Sequence, residues 1–301
     1  MVDISRGLNL AQYVSNEVIE TDGFYTAIIG LQPSKGARSP ILWNAAYNFL
    51  QSTSKMIPLD VSISNIDSLI KYLNSEKQFL GGSIATPYKE LLASIMSPWN
   101  NQEPVEQPSF NCILRGQSGD LVGCNTDGFG AMATINSLVE IKKTNTLLIG
   151  PGGTGKAIAL SIIAQTKNPE LLTISGRSES SRDFANTLGA SWIHFDLLES
   201  VLPEFKLIVN CTPFGQGEHL NRSPITKSAA RRMSKGSQIF DINYSDQDNL
   251  LSDIARDADI GYVSGKSMNI EQAVRSFCIV NGMEMQSDEI RCVMESAIST
   301  K

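Results

Sequence analysis

Apolar positions along the chain recur in two distinct periods. Short apolar runs at Phe24–Ile29, Met56–Val61, Phe79–Ala85, Leu147–Ile149, Leu171–Ile174, Leu207–Asn210, Ile239–Ile242 and Gly261–Val263 read as strands, with a shorter one at Ser191–Phe195. Between them, helical spacing takes over. One helix starts at Ser39-Pro40, with Ser39 as N-cap, and runs to about Gln51 with Leu42, Ala45, Ala46 and Phe49 on one face. Others are predicted over Asn65–Leu73, from Thr86-Pro87 to about Met96 with Leu91, Leu92 and Ile95 inward, and from Thr126 to about Glu140. Further helices are expected over Ser181–Leu188, 267–281 and 287–299. Asn111–Arg115 and Leu121–Asn125 are short strands flanking a Gly-Gln-Ser-Gly-Asp turn. Residues 1–22 form a polar, irregular leader and 97–108 a loop rich in Pro and Asn. The βα alternation predicts an α/β protein with parallel sheets.

The most informative stretch is Thr146–Arg177. An apolar run, Leu147-Leu148-Ile149, leads into Gly150-Pro151-Gly152-Gly153-Thr154-Gly155, then a helix carrying Ile158, Ile162 and Ile163, then a second apolar run. This is a βαβ unit whose glycines let backbone N–H groups approach a pyrophosphate at the helix N-terminus. Gly150, Gly152, Gly153, Thr154 and Gly155 are the candidate phosphate contacts. Two ligands compete for the turn. Gly150–Lys156 matches the nucleoside-triphosphate loop except at its last position, where Ala157 replaces the Ser or Thr that holds Mg²⁺. A dinucleotide is therefore preferred. An NAD site places an acid roughly 20 residues past the glycines, whereas here stand Ser175-Gly176-Arg177-Ser178. An Arg with flanking hydroxyls suits a 2′-phosphate, so NADP is preferred to NAD. The plainer reading of Arg177 is a solvated loop cation.

Length and composition narrow the classes. The 301 residues suffice for two modest domains. A content of 42% hydrophobic and 19% charged residues is that of a folded, ordinary globular protein. The net charge of −6 argues against nucleic-acid or anionic-membrane partners. No apolar run approaches the ~20 residues of a membrane span, and no secretory leader is evident, so a cytoplasmic location is expected. Five cysteines without CxxC spacing and two histidines, His194 and His219, give no metal site.

Two residues point to acid–base chemistry. Lys89 lies in the first turn of its helix, where a capping box would place Glu and the helix dipole disfavours a cation by about 0.3–1 kcal/mol. A broken local rule of this kind marks function, although an exposed lysine reaching into solvent would also fit. Asp127 stands in Asn125-Thr126-Asp127-Gly128 at the next helix start, where its plain role is an N-cap or dipole acid. A Lys–Asp pair suits an enzyme that moves a proton while hydride moves at a carbonyl carbon.

Taken together, these residues resemble the shikimate dehydrogenases and their quinate and aminoshikimate relatives, from about Phe24 to Phe277. Gly81-Gly82-Ser83-Ile84-Ala85-Thr86-Pro87-Tyr88-Lys89-Glu90 is similar to that family's catalytic-lysine segment, and Asn125–Gly128 to its aspartate segment. Gly150–Gly155 resembles its NADP turn, Gly176-Arg177-Ser178 its Asn-Arg-Thr 2′-phosphate motif, and Asn210-Cys211-Thr212 its Asn-x-Thr near the nicotinamide. Asp241–Tyr244 and Gly265–Gln272 are similar to its two late segments. The resemblance implies Lys89 and Asp127 as the catalytic pair. It implies Ser39, Asn111, Tyr244 and Gln272 as substrate contacts, and Arg177, Ser178, Thr212, Gly265 and Met268 as cofactor contacts beside the glycines. It further implies two domains: residues 1–125 with 264–301 for the substrate, and 126–263 as a Rossmann-type NADP domain. The expected reaction interconverts 3-dehydroshikimate and shikimate in aromatic amino acid biosynthesis, by a monomer or homodimer acting on a ring carboxylic acid.

Two departures bear on the substrate. The family's Ser-x-Ser-Pro is Ala37-Arg38-Ser39-Pro40 here, and its Asn-Val-Thr is Ser83-Ile84-Ala85. Each missing hydroxyl removes a contact worth about 0.5–1.5 kcal/mol, together about one to two orders of magnitude in shikimate affinity. Arg38 would be placed to compensate. Three readings therefore stand: shikimate itself, another ring acid such as quinate or an aminoshikimate, and a dinucleotide-binding protein without turnover.

Overall fold

Buried strands flanked by glycines and separated by amphipathic helices build two sheets in the computed structural model, which describes residues 10–18, 23–99, 108–244 and 248–299. Parts of the predicted leader and of the 97–108 loop lie outside those residues. The chain divides into two compact units, Met1–Thr126 with Gln272–Lys301, and Asp127–Glu271.

The first unit holds β1 (Tyr25–Gly30), β2 (Lys55–Asp60), β3 (Phe79–Ile84), β4 (Cys112–Arg115) and β5 (Leu121–Cys124) in the order β2-β1-β3-β4-β5. β1 runs parallel to β2, from Tyr25 opposite Lys55 to Gly30 opposite Asp60, and parallel to β3. β4 and β5 are antiparallel to their neighbours, so the sheet is mixed and the expectation of parallel sheets fails here. The short Gly116-to-Asp120 connection can only return β5 antiparallel to β4. Arg115 ties this hairpin to the C-terminal end of α2 (Ile66–Ser75): its guanidinium donates to the carbonyls of Leu73, Asn74, Glu76, Phe79 and Gly119.

Helix α1 (Ser39–Phe49) buries Leu42, Trp43, Ala46 and Tyr47, whereas Phe49 is 52% exposed, so its inner face is rotated from the predicted one. The shift follows the aromatic residues: Trp43 and Tyr47 pack their rings against Phe277, with centroids 5.2 and 5.0 Å away. Helix α3 (Tyr88–Ile95) buries Tyr88 and Leu92 but leaves Ile95 49% exposed, correcting its predicted inward placement. Tyr88 takes over that anchoring, its hydroxyl donating to the Val61 carbonyl at 2.6 Å.

The second unit runs α4 (Asp127–Leu138), β6 (Thr146–Ile149), α5 (Gly153–Thr166), β7 (Leu172–Gly176), α6 (Glu179–Thr187), β8 (Ser191–His194), α7 (Leu198–Val201), β9 (Leu207–Asn210), α8 (Lys227–Ala230), β10 (Gln238–Asp241), α9 (Leu250–Asp257) and β11 (Gly261–Ser264). Helix α10 (Lys266–Asn281) begins in this unit and ends in the first, to which α11 (Ser287–Ser299) also belongs. All six strands are parallel, in the order β11-β10-β9-β6-β7-β8. Strand alternation sends Leu148, Ile174, Val209 and Phe240 into one core, and Leu147, Ile149, Ile208 and Ile239 into another. A sheet buried on both faces explains why these strands read as continuous apolar runs.

Candidate functional site

In the second unit the strand order reverses between β6 and β9, the topological switch point at which open α/β sheets bind ligands beyond their strand ends. The loops there carry the predicted residues: Gly150 after β6, Arg177 after β7, Thr212 after β9, Tyr244 after β10 and Gly265 after β11. The glycine turn is shaped for close approach. Gly150 takes φ +88°, and a Cβ on Gly155 would lie 2.4 Å from the Gly150 carbonyl oxygen. Gly152 caps α5, so Gly153, Thr154 and Gly155 form its first turn, whose N–H groups lack intrahelical acceptors and whose dipole favours an anion. No acid stands in that turn.

Thr154 also reaches Asp127. Its hydroxyl donates to Asp127 Oδ2 at 3.0 Å, and Asp127, first residue of α4, is only 4% exposed. Thr212 lies across the same turn: its methyl would be 2.9 Å from a Cβ on Gly150. Thr212 is held by Asn210, whose Oδ1 accepts from the Thr212 N–H at 3.1 Å and its hydroxyl at 2.7 Å. Tyr244 is half-buried and its hydroxyl accepts from Asn269 Nδ2 at 3.2 Å, a polar engagement rather than pure core packing. Gly265 is buried and donates its N–H to the Asn243 carbonyl, while the Met268 side chain, 5% exposed, packs into the core.

The hub beneath these loops was not assigned from sequence. Asp241, fully buried at the end of β10, accepts from Asn210 Nδ2 (2.9 Å), Asn243 N (3.1 Å) and Nδ2 (3.0 Å), Asn249 Nδ2 (2.9 Å) and the Tyr262 hydroxyl (3.1 Å). Burial raises the Asp241 pKa above the usual carboxylate range, outweighing the hydrogen bonds that lower it. Tyr262 is pushed up as well, by burial first and by the adjacent Asp241. In the sequence Asp241 shows as an acid closing an otherwise apolar run, at the head of the Asp241–Tyr244 segment.

At the end of β7, Arg177 is exposed, and among the described residues it makes no hydrogen bond or ion pair. Its guanidinium carbon lies 4.5 Å from the Phe195 ring centroid and 5.9 Å from that of Phe214. Ser178 caps α6, accepting from the Ser181 N–H at 3.2 Å.

The first unit gathers a different set. Asn111, 4% exposed, accepts from the Thr126 N–H (2.7 Å) and donates Nδ2 to Thr126 Oγ1 (3.0 Å) and Gln272 Oε1 (3.3 Å). Thr126 in turn meets Ser276 Oγ at 2.7 Å and donates to the Gln272 carbonyl at 3.1 Å. Asn111 and Gln272, 161 positions apart, thus touch. Thr126 and Ser276 were not singled out from sequence, because a buried Thr–Ser contact leaves no local pattern. Lys89 is half-buried, and its carbonyl accepts from Phe110 N, the neighbour of Asn111. It is the second residue of α3, which starts at Tyr88 with Pro87 rather than Thr86 as its N-cap, so Lys89 lies in the first turn as expected. Ser39 is likewise not an N-cap: it is the first helical residue, behind Arg38, and its hydroxyl has no hydrogen-bond partner among the described residues.

The second unit therefore defines a Rossmann-type dinucleotide-binding protein, with a second α/β unit carrying buried amides and a lysine. No family model matches the chain. It is 25% identical over 268 residues to the shikimate dehydrogenase (NADP(+)) of Methanosphaera stadtmanae, covering 85% of this chain and 91% of that one. Its fold is that of the Aquifex aeolicus shikimate dehydrogenase (TM-score 0.79, 19% identity, 93% and 99% of the two chains). The same fold occurs in the Corynebacterium glutamicum quinate dehydrogenase solved with NAD (TM-score 0.75, 21% identity, 91% and 99%). Over most of its length the chain is thus similar in sequence to shikimate dehydrogenases and shares their fold. Among the described residues no helix is long and apolar enough to cross a membrane.

Proposed function

We propose that this chain is an NADP-dependent oxidoreductase that interconverts 3-dehydroshikimate and shikimate. The observation that carries the proposal is the Thr154–Asp127 hydrogen bond, which fixes a buried carboxylate to the glycine turn itself. The residues fit the cofactor. The turn has room only for glycine at Gly155, and Arg177 keeps its guanidinium donors open where an NAD site would place an acid. When bound, the nicotinamide supplies or accepts the hydride. Lys89 gives or takes the proton at the ring oxygen, with Asp127 as its acid–base partner. Asn111 and Gln272, already hydrogen-bonded to each other, hold ring hydroxyls, and Ser39 offers an open hydroxyl for the carboxylate. Tyr244 contributes a further phenol. Thr212, Gly265 and Ser178 line the cofactor, and Met268 supports it from the core.

A second reading is favoured by Ala37 and Ala85, which stand where related enzymes offer hydroxyls. Here the substrate is quinate, an aminoshikimate or another ring acid. A spectrophotometric screen at 340 nm of shikimate, quinate and aminoshikimate, each with NADP⁺ and NAD⁺, separates the two. Shikimate with NADP⁺ as best pair supports the first reading. Quinate or aminoshikimate as best substrate replaces it, and silence with every acid despite dinucleotide binding sinks both.

A further inference from the structure

Arg177 owes its position to two rings from distant parts of the chain. Phe195 directly follows β8, where it is half-buried against the core that also holds Ile149 and Ile208. Phe214 lies in the loop after β9. Its N–H donates to Thr212 Oγ1, and its carbonyl accepts from Asn210 Nδ2 and Asn243 Nδ2. The two rings meet edge to face, 6.4 Å between centroids. Both are thus anchored, and the Arg177 guanidinium rests 4.5 Å from the Phe195 centroid. A ring face attracts a cation without consuming any of its N–H donors. A carboxylate in the same place would consume them and cancel the charge. The nearby acids are otherwise placed: Asp196 sits 3.5 Å from His194 Nδ1, and Glu179 lies in the first turn of α6.

We infer that Phe195 is a positioning residue that sets the preference for a 2′-phosphorylated dinucleotide, by holding the Arg177 guanidinium over its ring with every donor available to the phosphate. The inference rests on the cofactor reading above. It goes beyond it by assigning part of the selectivity to a residue that carries no charge and makes no hydrogen bond to the ligand.

Calorimetric titration of the full-length protein with 2′,5′-ADP and with ADP tests it without turnover. Phe195→Leu keeps apolar volume against the core but removes the ring face. It is expected to weaken 2′,5′-ADP roughly three- to tenfold and leave ADP unchanged, while Phe195→Tyr restores wild-type binding. In Arg177→Ala, adding Phe195→Leu should cost nothing further, since the two act through one contact. If Phe195→Leu leaves 2′,5′-ADP unaffected, or weakens both ligands equally, the inference is overturned while the cofactor reading stands, provided Arg177→Ala still loses the 2′,5′-ADP preference. If Arg177→Ala keeps that preference, the inference falls together with the assignment of Arg177 to the 2′-phosphate.

Discussion

The hydroxyl of Thr154, inside the glycine turn, donates a 3.0 Å hydrogen bond to the carboxylate of Asp127 at the start of α4. A helix that opens the unit is thereby joined to the turn that would hold the pyrophosphate. Replacing Thr154 by Val removes the donor but keeps the branched shape. The expected outcome is a several-fold lower kcat with little change in cofactor affinity, because one hydrogen bond to a charged group is worth about 1.5–3 kcal/mol and Asp127 retains other contacts. Steady-state kinetics together with NADP⁺ titration checks this. A purely cofactor-side effect would show as weaker binding at constant kcat.

Lys89→Ala should lower kcat by about 10²-fold or more while NADP⁺ binding stays near normal, the usual contribution of a positioned acid–base group. Stopped-flow measurement of hydride transfer and fluorescence titration of the cofactor report the two halves separately. Undiminished turnover would mean that another group handles the proton.

Arg177→Ala should weaken NADP⁺ by about 10- to 100-fold and NAD⁺ far less, since charge-assisted hydrogen bonds to a phosphate are worth about 1.5–3 kcal/mol. Dissociation constants for both dinucleotides decide it: parallel losses would remove the 2′-phosphate assignment.

Ser276→Ala strips a buried hydroxyl that bonds Thr126 and the Gln272 carbonyl. A loss of about 0.5–1.5 kcal/mol in urea unfolding is expected, because a buried hydrogen bond is lost while Thr126 and the Gln272 carbonyl keep each other. Looser Asn111 and Gln272 amides should raise KM for the ring acid more than they lower kcat. An unchanged KM would leave the network with a structural role alone.

Asp241 gives a pH signature. Its folded-state pKa is raised, so the native state holds the proton more tightly than the unfolded one. The stability it contributes is complete below the unfolded carboxylate value of about 4 and is lost as pH rises through the elevated folded value. Asp241→Asn turns an amide donor toward five existing donors and should destabilise at every pH. The gap between wild type and variant should narrow as pH rises from about 4. Melting temperatures across pH 4–8 measure that gap, and a gap widening with pH would reverse the sign argued here.

Local signals carried most of the fold. The glycine turn and the apolar strand runs each declare themselves within a dozen residues, and every one of those elements stands within a residue or two of its expected place. What sequence pattern misjudged is decided at longer range. The direction of β5 against β4 follows from connection length rather than from alternation. Ile95 has helical spacing, yet Tyr88 supplies the anchoring of α3. Ser39 reads as a cap, but the turn at Arg38 starts the helix one residue earlier. The joining of Asn111 and Thr126 to the Gln272–Ser276 turn of α10, and the Phe195 perch of Arg177, bring together segments that no local periodicity links, so three-dimensional proximity is needed to reveal them.

One carboxylate, Asp241, moors the segments after β9 and β10, the start of α9 and the phenol of Tyr262. Such shared mooring couples those segments energetically, since altering one frees a donor that the others must absorb. Arg177 and Phe195, at the ends of β7 and β8, make no bond to that carboxylate, so substitutions there leave the mooring hydrogen bonds in place.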